Sequence, residues 1–175
     1  AQLLGCQATI VMPETSPQIK IDAVRARGGE VVLAGVSYSD AYEHAMKLVA
    51  ESGKTYIPPF DDPDVIAGQG TVAAEIVADL GQAPEVVVVP VGGGGLLSGV
   101  ATWFAEHYPA TRVVGVEPAG AACTVAALQR GEPVTLDRLD SFVDGAAVRR
   151  VGDLTFQVIQ SRGLEVTTVA EGAVC

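Results

Sequence analysis

The stretch from Glu85 to Glu117 leaves few folds open. It runs Glu85-Val86-Val87-Val88-Val89-Pro90-Val91 into Gly92-Gly93-Gly94-Gly95, and on into Leu96-Leu97-Ser98-Gly99-Val100-Ala101-Thr102-Trp103-Phe104. A β-branched run without polar alternation reads as a strand buried on both faces. Leu97, Val100, Ala101 and Phe104 recur at i, i+3, i+4 and i+7, which is one face of a helix. The order strand, glycine turn, helix N-terminus leaves backbone N–H groups free at the positive end of a helix dipole, with no side chains in an anion's way. The turn therefore reads as a phosphate cradle. It is neither of two common glycine motifs. The last glycine of Gly-x-Gly-x-x-Gly would fall on Leu97 or Ser98, and no Lys follows the glycines as a P-loop requires. A flexible linker would be flanked by polar or Pro-rich sequence, whereas this turn is clamped between a strand and an amphipathic helix.

The rest of the chain alternates strand and helix, the pattern of a parallel sheet. Residues 1–5 read as a last helical turn closed by Gly5, and Ala8–Met12 as a strand. A helix with Ser16 as its cap and Pro17 at its first position runs to about Arg27 and stops at Gly28-Gly29. A strand over Glu30–Ala34, a helix over Ser39–Glu51 and a short strand over Thr55–Ile57 follow. Pro58-Pro59-Phe60-Asp61-Asp62-Pro63 breaks the pattern. Its prolines forbid helix, its acidic residues are expected to be solvated, and it marks a domain crossing. The division is residues 1–57 and 58–175. The next helix, Asp64–Leu80, points Val72, Ile76, Val77 and Leu80 inward, with Gly68 and Gly70 near its start. Beyond the glycine turn come a returning strand over Arg112–Glu117, a helix over Ala121–Gln129, a turn at Asp144-Gly145, a helix over Asp153–Ser161, a strand over Val166–Val169 and the opening of a helix at Glu171–Cys175.

Charge and composition exclude several classes. A net charge of −10 leaves no basic footprint for nucleic acid. No apolar run reaches the length of a membrane span, and no secretory signal opens the chain. Cys6, Cys123 and Cys175 are odd in number and widely spaced. They fit free thiols in a reducing cytosol better than disulfides or a zinc site. A catalytic Cys–His pair would have to use His44 or His107, both expected mid-helix.

Four segments together resemble one family. They are Pro58–Thr71 (Pro-Pro-Phe-Asp-Asp-Pro-Asp-Val-Ile-Ala-Gly-Gln-Gly-Thr), Val89–Leu96 (Val-Pro-Val-Gly-Gly-Gly-Gly-Leu), Gly115-Val116-Glu117-Pro118, and Asp144–Asp153 (Asp-Gly-Ala-Ala-Val-Arg-Arg-Val-Gly-Asp). In this order they resemble the threonine dehydratases (threonine ammonia-lyases) of the tryptophan-synthase-β-like, fold type II group of pyridoxal-phosphate enzymes. The resemblance covers essentially the whole chain. It implies an α/β fold with a three-layer α/β/α parallel sheet, truncated here at both ends, with residues 1–57 in the small domain and 58–175 in the large one. It assigns pyridoxal 5'-phosphate as cofactor, and its phosphate to the backbone amides of Gly92, Gly93, Gly94, Gly95 and Leu96. Gly145 and Ala146 match a segment beside the cofactor ring in relatives, although a plain turn explains them equally well. Some relatives bind a cation near the residue matching Glu117. Here Cys123 stands at the further carboxylate position, and hard divalent ions take oxygen ligands, so Glu117 is expected to pair or cap and no metal is expected.

The resemblance implies β-elimination and deamination of L-threonine to 2-oxobutanoate and ammonia, and of L-serine to pyruvate, in isoleucine biosynthesis or threonine catabolism. That chemistry uses a Schiff-base lysine in a Ser-x-x-Lys-x-Arg-Gly-type segment and a substrate loop Ser-x-Gly-Asn. The lysines present are Lys20, Lys47 and Lys54, none in that context. The chain is thus expected to be an internal piece of a cytoplasmic, oligomeric enzyme, inactive by itself. Serine racemase and serine dehydratase share the four glycines and stand as alternatives. So does a noncatalytic module that binds a phosphorylated small molecule.

Overall fold

The structure, a computed structural model, describes residues 1–174. The chain folds as two compact units that divide between Tyr56 and Ile57.

In the first unit, β1 (Thr9–Met12) and β2 (Glu30–Leu33) pair in parallel, with Thr9 opposite Glu30 and Met12 opposite Leu33. The helix between them, α1 (Gln18–Ala26), makes the crossover that a parallel pair requires. It starts one residue later than expected. Pro17 is its cap residue, and Ser16 makes no capping hydrogen bond. The next helix, α2 (Tyr38–Ser52), has a capping box. The Ser37 hydroxyl accepts from the Asp40 N–H at 3.2 Å, and the Asp40 carboxylate accepts from the Ser37 N–H at 2.9 Å. The strand expected over Thr55–Ile57 does not form. Tyr56 instead packs its ring edge-to-face on Tyr42 of α2, with centroids 5.9 Å apart. Residues 2–4 form one 3₁₀ turn that Gly5 closes at φ 66°.

The second unit begins with α3 (Pro63–Leu80) and contains a parallel sheet of β3 (Val86–Pro90), β4 (Arg112–Pro118) and β5 (Glu165–Val169), in the order β3-β4-β5. Val86 lies opposite Arg112, and Val114 lies opposite Glu165. The crossover from β3 to β4 is α4 (Gly95–His107). Its Leu97, Val100, Ala101 and Phe104 are buried together, as the spacing predicts. Two shorter helices, α5 (Cys123–Arg130) and α6 (Asp153–Ser161), complete the unit. Gly131 closes α5 at φ 83°, and a turn at 143–146 carries Asp144-Gly145 at its centre. Val89, Val91, Leu97, Val100, Phe104, Val113, Cys123, Val151, Phe156 and Ile159 form one continuous core. Residues 171–173 make a 3₁₀ turn, and Cys175 lies outside the described residues.

Two inward faces differ from the sequence reading. Strand β3 is buried on one face only. Val89 and Val91 enter the core, but Val86 and Val88 on the other face are 48% and 64% exposed. β3 is the edge of the three-stranded sheet, and β4 beside it is the strand that is buried almost throughout. In α3, Val72 and Leu80 are exposed, while Ile66, Gly70 and Ala73 are buried and Val77 packs on the core. Glycine has no side chain to count as apolar, so a face centred on Gly70 is invisible to hydrophobic periodicity.

Candidate functional site

The four glycines sit where the sequence places them, between the end of β3 and the first turn of α4. Gly93, Gly94 and Gly95 are buried, and Gly94 has φ 92°, a conformation that glycine enters without steric cost. The turn is packed from three sides. A Cβ on Gly93 would overlap the Phe60 ring, and one on Gly95 would lie 2.9 Å from the Phe60 Cβ. A Cβ on Gly94 would meet Thr155 at 2.9 Å, and one on Gly92 would reach the Ala146 Cα at 3.3 Å. Every glycine from 92 to 95 therefore stands where a larger residue would displace a neighbour. Gly145 and Ala146 do form a turn, and the Ala146 backbone also lies against Gly92.

Hydrogen bonding in the turn is one-sided. The carbonyl of Gly92 accepts from the Cys123 thiol at 3.7 Å. The carbonyl of Gly93 accepts from the Thr155 hydroxyl at 2.7 Å and the Gly152 N–H at 3.2 Å. The carbonyl of Gly94 accepts from the Ser98 N–H at 2.9 Å. The N–H groups of Gly92, Gly93, Gly94, Gly95 and Leu96 have no acceptor among the described residues. A buried amide without a partner costs about 1–3 kcal/mol. Several at one helix N-terminus are a donor set that an anion can satisfy, because donors and dipole reinforce one another there. The donor set suits a phosphate dianion: backbone amides only, on a turn that glycine leaves open.

Two consecutive residues brace this turn and the next caps α3, roles that the sequence reading missed. Phe60 lies on Gly93 and Gly95. The Asp61 carboxylate accepts from the N–H groups of Asp153, Leu154 and Thr155 at 2.9, 2.9 and 3.1 Å, capping α6 from 92 residues away. Asp62 caps α3, accepting from the N–H groups of Asp64 and Val65 at 2.9 and 3.1 Å. These carboxylates satisfy helix ends rather than solvate a loop, which corrects the expectation for the segment. Asp62 before Pro63 carries a legible capping signal. Asp61 carries none, because its helix is remote in sequence.

Glu117 is fully buried at the end of β4. Its carboxylate accepts from the N–H groups of Thr124 at 2.7 Å and Val125 at 2.9 Å, and so caps α5. Burial pushes its carboxyl above the usual range, against the pull of those two donors. The Cys123 thiol lies 3.7 Å from a Glu117 oxygen, and burial pushes it up to about 12. A thiol held protonated and buried is no nucleophile at neutral pH. Cys6 is a free, exposed thiol. His44 lies within α2, and the His107 ring stacks on Trp103 at 4.5 Å. No group of three His, Cys, Asp or Glu residues that could hold a metal occurs among the described residues.

All three lysines lie in the first unit. Lys20 is on α1, Lys47 on α2, and Lys54 just beyond α2, where its Nζ donates to the Thr9 hydroxyl at 2.6 Å and pairs with Glu30 at 3.6 Å. A cleft of about 560 Å³ lies between α3, α4 and α6, beside Gly70, Trp103 and Val158, and is not lined by the glycine turn. No helix among the described residues is long and apolar enough to cross a membrane.

Comparison with known proteins agrees with this architecture. The biosynthetic L-threonine dehydratase IlvA of Mycobacterium tuberculosis is 49% identical over 177 residues, covering 98% of this chain and 41% of that protein. The processed form of threonine deaminase isoform 2 from Solanum lycopersicum superposes with a TM-score of 0.86 at 51% identity, over 97% of this chain and 49% of that one. Maize serine racemase superposes with a TM-score of 0.90 at 30% identity, over 99% of this chain and 52% of that one. The chain thus spans about two fifths to one half of the length of these relatives. The model of the pyridoxal-phosphate dependent enzyme family matches residues 1–175, and fold and sequence agree with it: the chain belongs to that family, with its parallel α/β, fold type II architecture.

Proposed function

We propose that this chain carries the cofactor-phosphate site of an ammonia-lyase that deaminates L-threonine to 2-oxobutanoate and ammonia, and L-serine to pyruvate. The observation that carries the reading is the run of amides from Gly92 to Leu96, left without protein acceptors at the N-terminus of α4 while the carbonyls of Gly92, Gly93 and Gly94 are engaged. Pyridoxal phosphate, when bound, supplies an electron sink for the α-carbon of an amino acid. The work of this chain is to hold the phosphate with Gly92, Gly93, Gly94, Gly95 and Leu96, and so to fix the orientation of the ring. Ala146, whose backbone touches Gly92, limits the space beside it. Residues 58–175 belong to the large, cofactor-binding domain in this reading and 1–57 to the small one. The lysine that receives the cofactor lies outside the sequence context of Lys20, Lys47 and Lys54. Two relatives named biosynthetic threonine dehydratases favour a role in isoleucine biosynthesis. A cytoplasmic homo-oligomer without nucleic-acid or membrane partners is the matching setting.

Serine racemization is the second reading, favoured by the superposition on maize serine racemase. One substrate screen on the natural protein separates the two. Release of 2-oxobutanoate from L-threonine supports the first, and conversion of L-serine to D-serine with no keto acid from threonine supports the second. A Gly94→Asp variant tests the site. The added side chain would meet Thr155 at 2.9 Å and strain a backbone held at φ 92°, so the turn and its amides shift and cofactor affinity falls by at least tenfold, and unchanged affinity would remove the glycine turn from the cofactor site.

A further inference from the structure

The peptide group between Gly93 and Gly94 is held from one side only. Its carbonyl accepts from the Thr155 hydroxyl at 2.7 Å and from the Gly152 N–H at 3.2 Å, both at the start of α6. In a trans peptide the C=O and N–H point in opposite directions across one rigid plane. Anchoring the Gly93 oxygen toward α6 therefore turns the Gly94 N–H away from α6. Thr155 is itself immobilised. It is fully buried, its N–H donates to the Asp61 carboxylate at 3.1 Å, and its carbonyl accepts from the Ser98 hydroxyl of α4 at 3.3 Å. Its hydroxyl is also 3.2 Å from the Gly152 carbonyl, so a single proton has two acceptors, and the shorter contact is the one to Gly93. Gly94 at φ 92° gains no support from a side chain of its own, so the plane's orientation rests on these outside contacts.

We propose that Thr155, fixed by Asp61, is a positioning residue that orients the Gly93–Gly94 peptide and thereby aims the Gly94 N–H at the phosphate. This rests on the reading of the glycine turn as the phosphate site. A residue with that role affects the phosphate and not the rest of the cofactor. A residue that only packs the core affects both. The test compares pyridoxal 5'-phosphate with pyridoxal, which lacks the phosphate, by titrating the apo form of the natural protein and following absorbance.

Thr155→Val keeps the shape and removes the hydroxyl. The expected result is an affinity for pyridoxal 5'-phosphate about tenfold weaker, an affinity for pyridoxal unchanged, and recovery of wild-type values in Thr155→Ser. Equal weakening for both ligands, or no weakening for either, overturns the proposal, as does a tenfold loss in Thr155→Ser. Should Thr155→Val not fold, Thr155→Ser and Asp61→Asn decide. The first must retain phosphate discrimination and the second must lower it, and the reverse pattern overturns the assignment. Wild-type protein that binds pyridoxal 5'-phosphate no better than pyridoxal defeats the phosphate site itself, and this inference with it.

Discussion

Gly70 of α3 and Gly99 of α4 meet at backbone distance: a Cβ on Gly99 would lie 2.6 Å from the Gly70 nitrogen. The two nearest atoms it would strike, the Ile66 oxygen and the Gly70 nitrogen, are backbone, so the helices themselves would have to part. The crossing sits one turn of helix beyond the glycine turn, and α4 carries the N-terminus on which the phosphate reading depends.

Gly99→Ala is expected to destabilise the protein by about 1–3 kcal/mol, the cost of overpacking a tight contact. Gly68, two residues before Gly70 on the same helix, has nothing within 4 Å of an added Cβ. Gly68→Ala is expected to raise stability by up to about 1 kcal/mol, through helix propensity alone. Urea unfolding of both variants checks the pair, and equal effects would place the close approach elsewhere.

Asp61→Ala is expected to cost about 2 kcal/mol, because three N–H groups of α6 lose their acceptor together. Hydrogen exchange at Asp153, Leu154 and Thr155 is the sharper measurement. Protection there falls in Asp61→Ala, whereas amides in the middle of α5 keep theirs.

Glu117 gives a pH dependence of definite sign. Burial raises its carboxyl above the usual range, so between the ordinary value and the raised one the folded chain keeps a proton that the unfolded chain has released. Glu117 therefore contributes stability below the ordinary carboxylate range, and that contribution is lost as pH rises through the raised value. Wild type and Glu117→Gln, compared by urea unfolding from acid to neutral pH, should show a stability difference that moves against wild type as pH rises. A flat difference would mean that the two helix donors cancel burial, and a difference that moves in favour of wild type would mean that they outweigh it.

Thiol labelling separates the cysteines. Cys123 is fully buried with its thiol pushed up to about 12, and Cys6 is exposed. Iodoacetamide at mildly alkaline pH, read by peptide mass mapping, should modify Cys6 in the native protein and Cys123 only after denaturation. Rapid native labelling of Cys123 would show that the α5 N-terminus opens readily.

The glycine turn was legible because every part of its signal is local: a β-branched strand, four glycines and an i, i+3, i+4, i+7 face within twenty residues. The helix ends at Gly5, Gly53, Gly81 and Gly131, all at positive φ, are local in the same sense. What the residues alone hid was long-range. The exposure of Val86 and Val88 depends on what packs over their face of the sheet, and no property of a valine run reports that. The inward face of α3 was misread because its centre is a glycine. Asp61, Gly152 and Thr155 converge on the turn from separate parts of the sequence, and capping rules look only a few residues ahead.

Irregular segments at protein surfaces usually tolerate changes of length, since neither their ends nor their contacts are tied to a fixed count of residues. The segment Phe60-Asp61-Asp62 is different. Successive residues address three separate structures: an aromatic ring on the glycine turn, a carboxylate on α6 and a carboxylate on α3. Loss or gain of a single residue here would put each group out of step with its target at once. This short connection, without regular secondary structure of its own, therefore has as little freedom in length as the strands and helices that it joins.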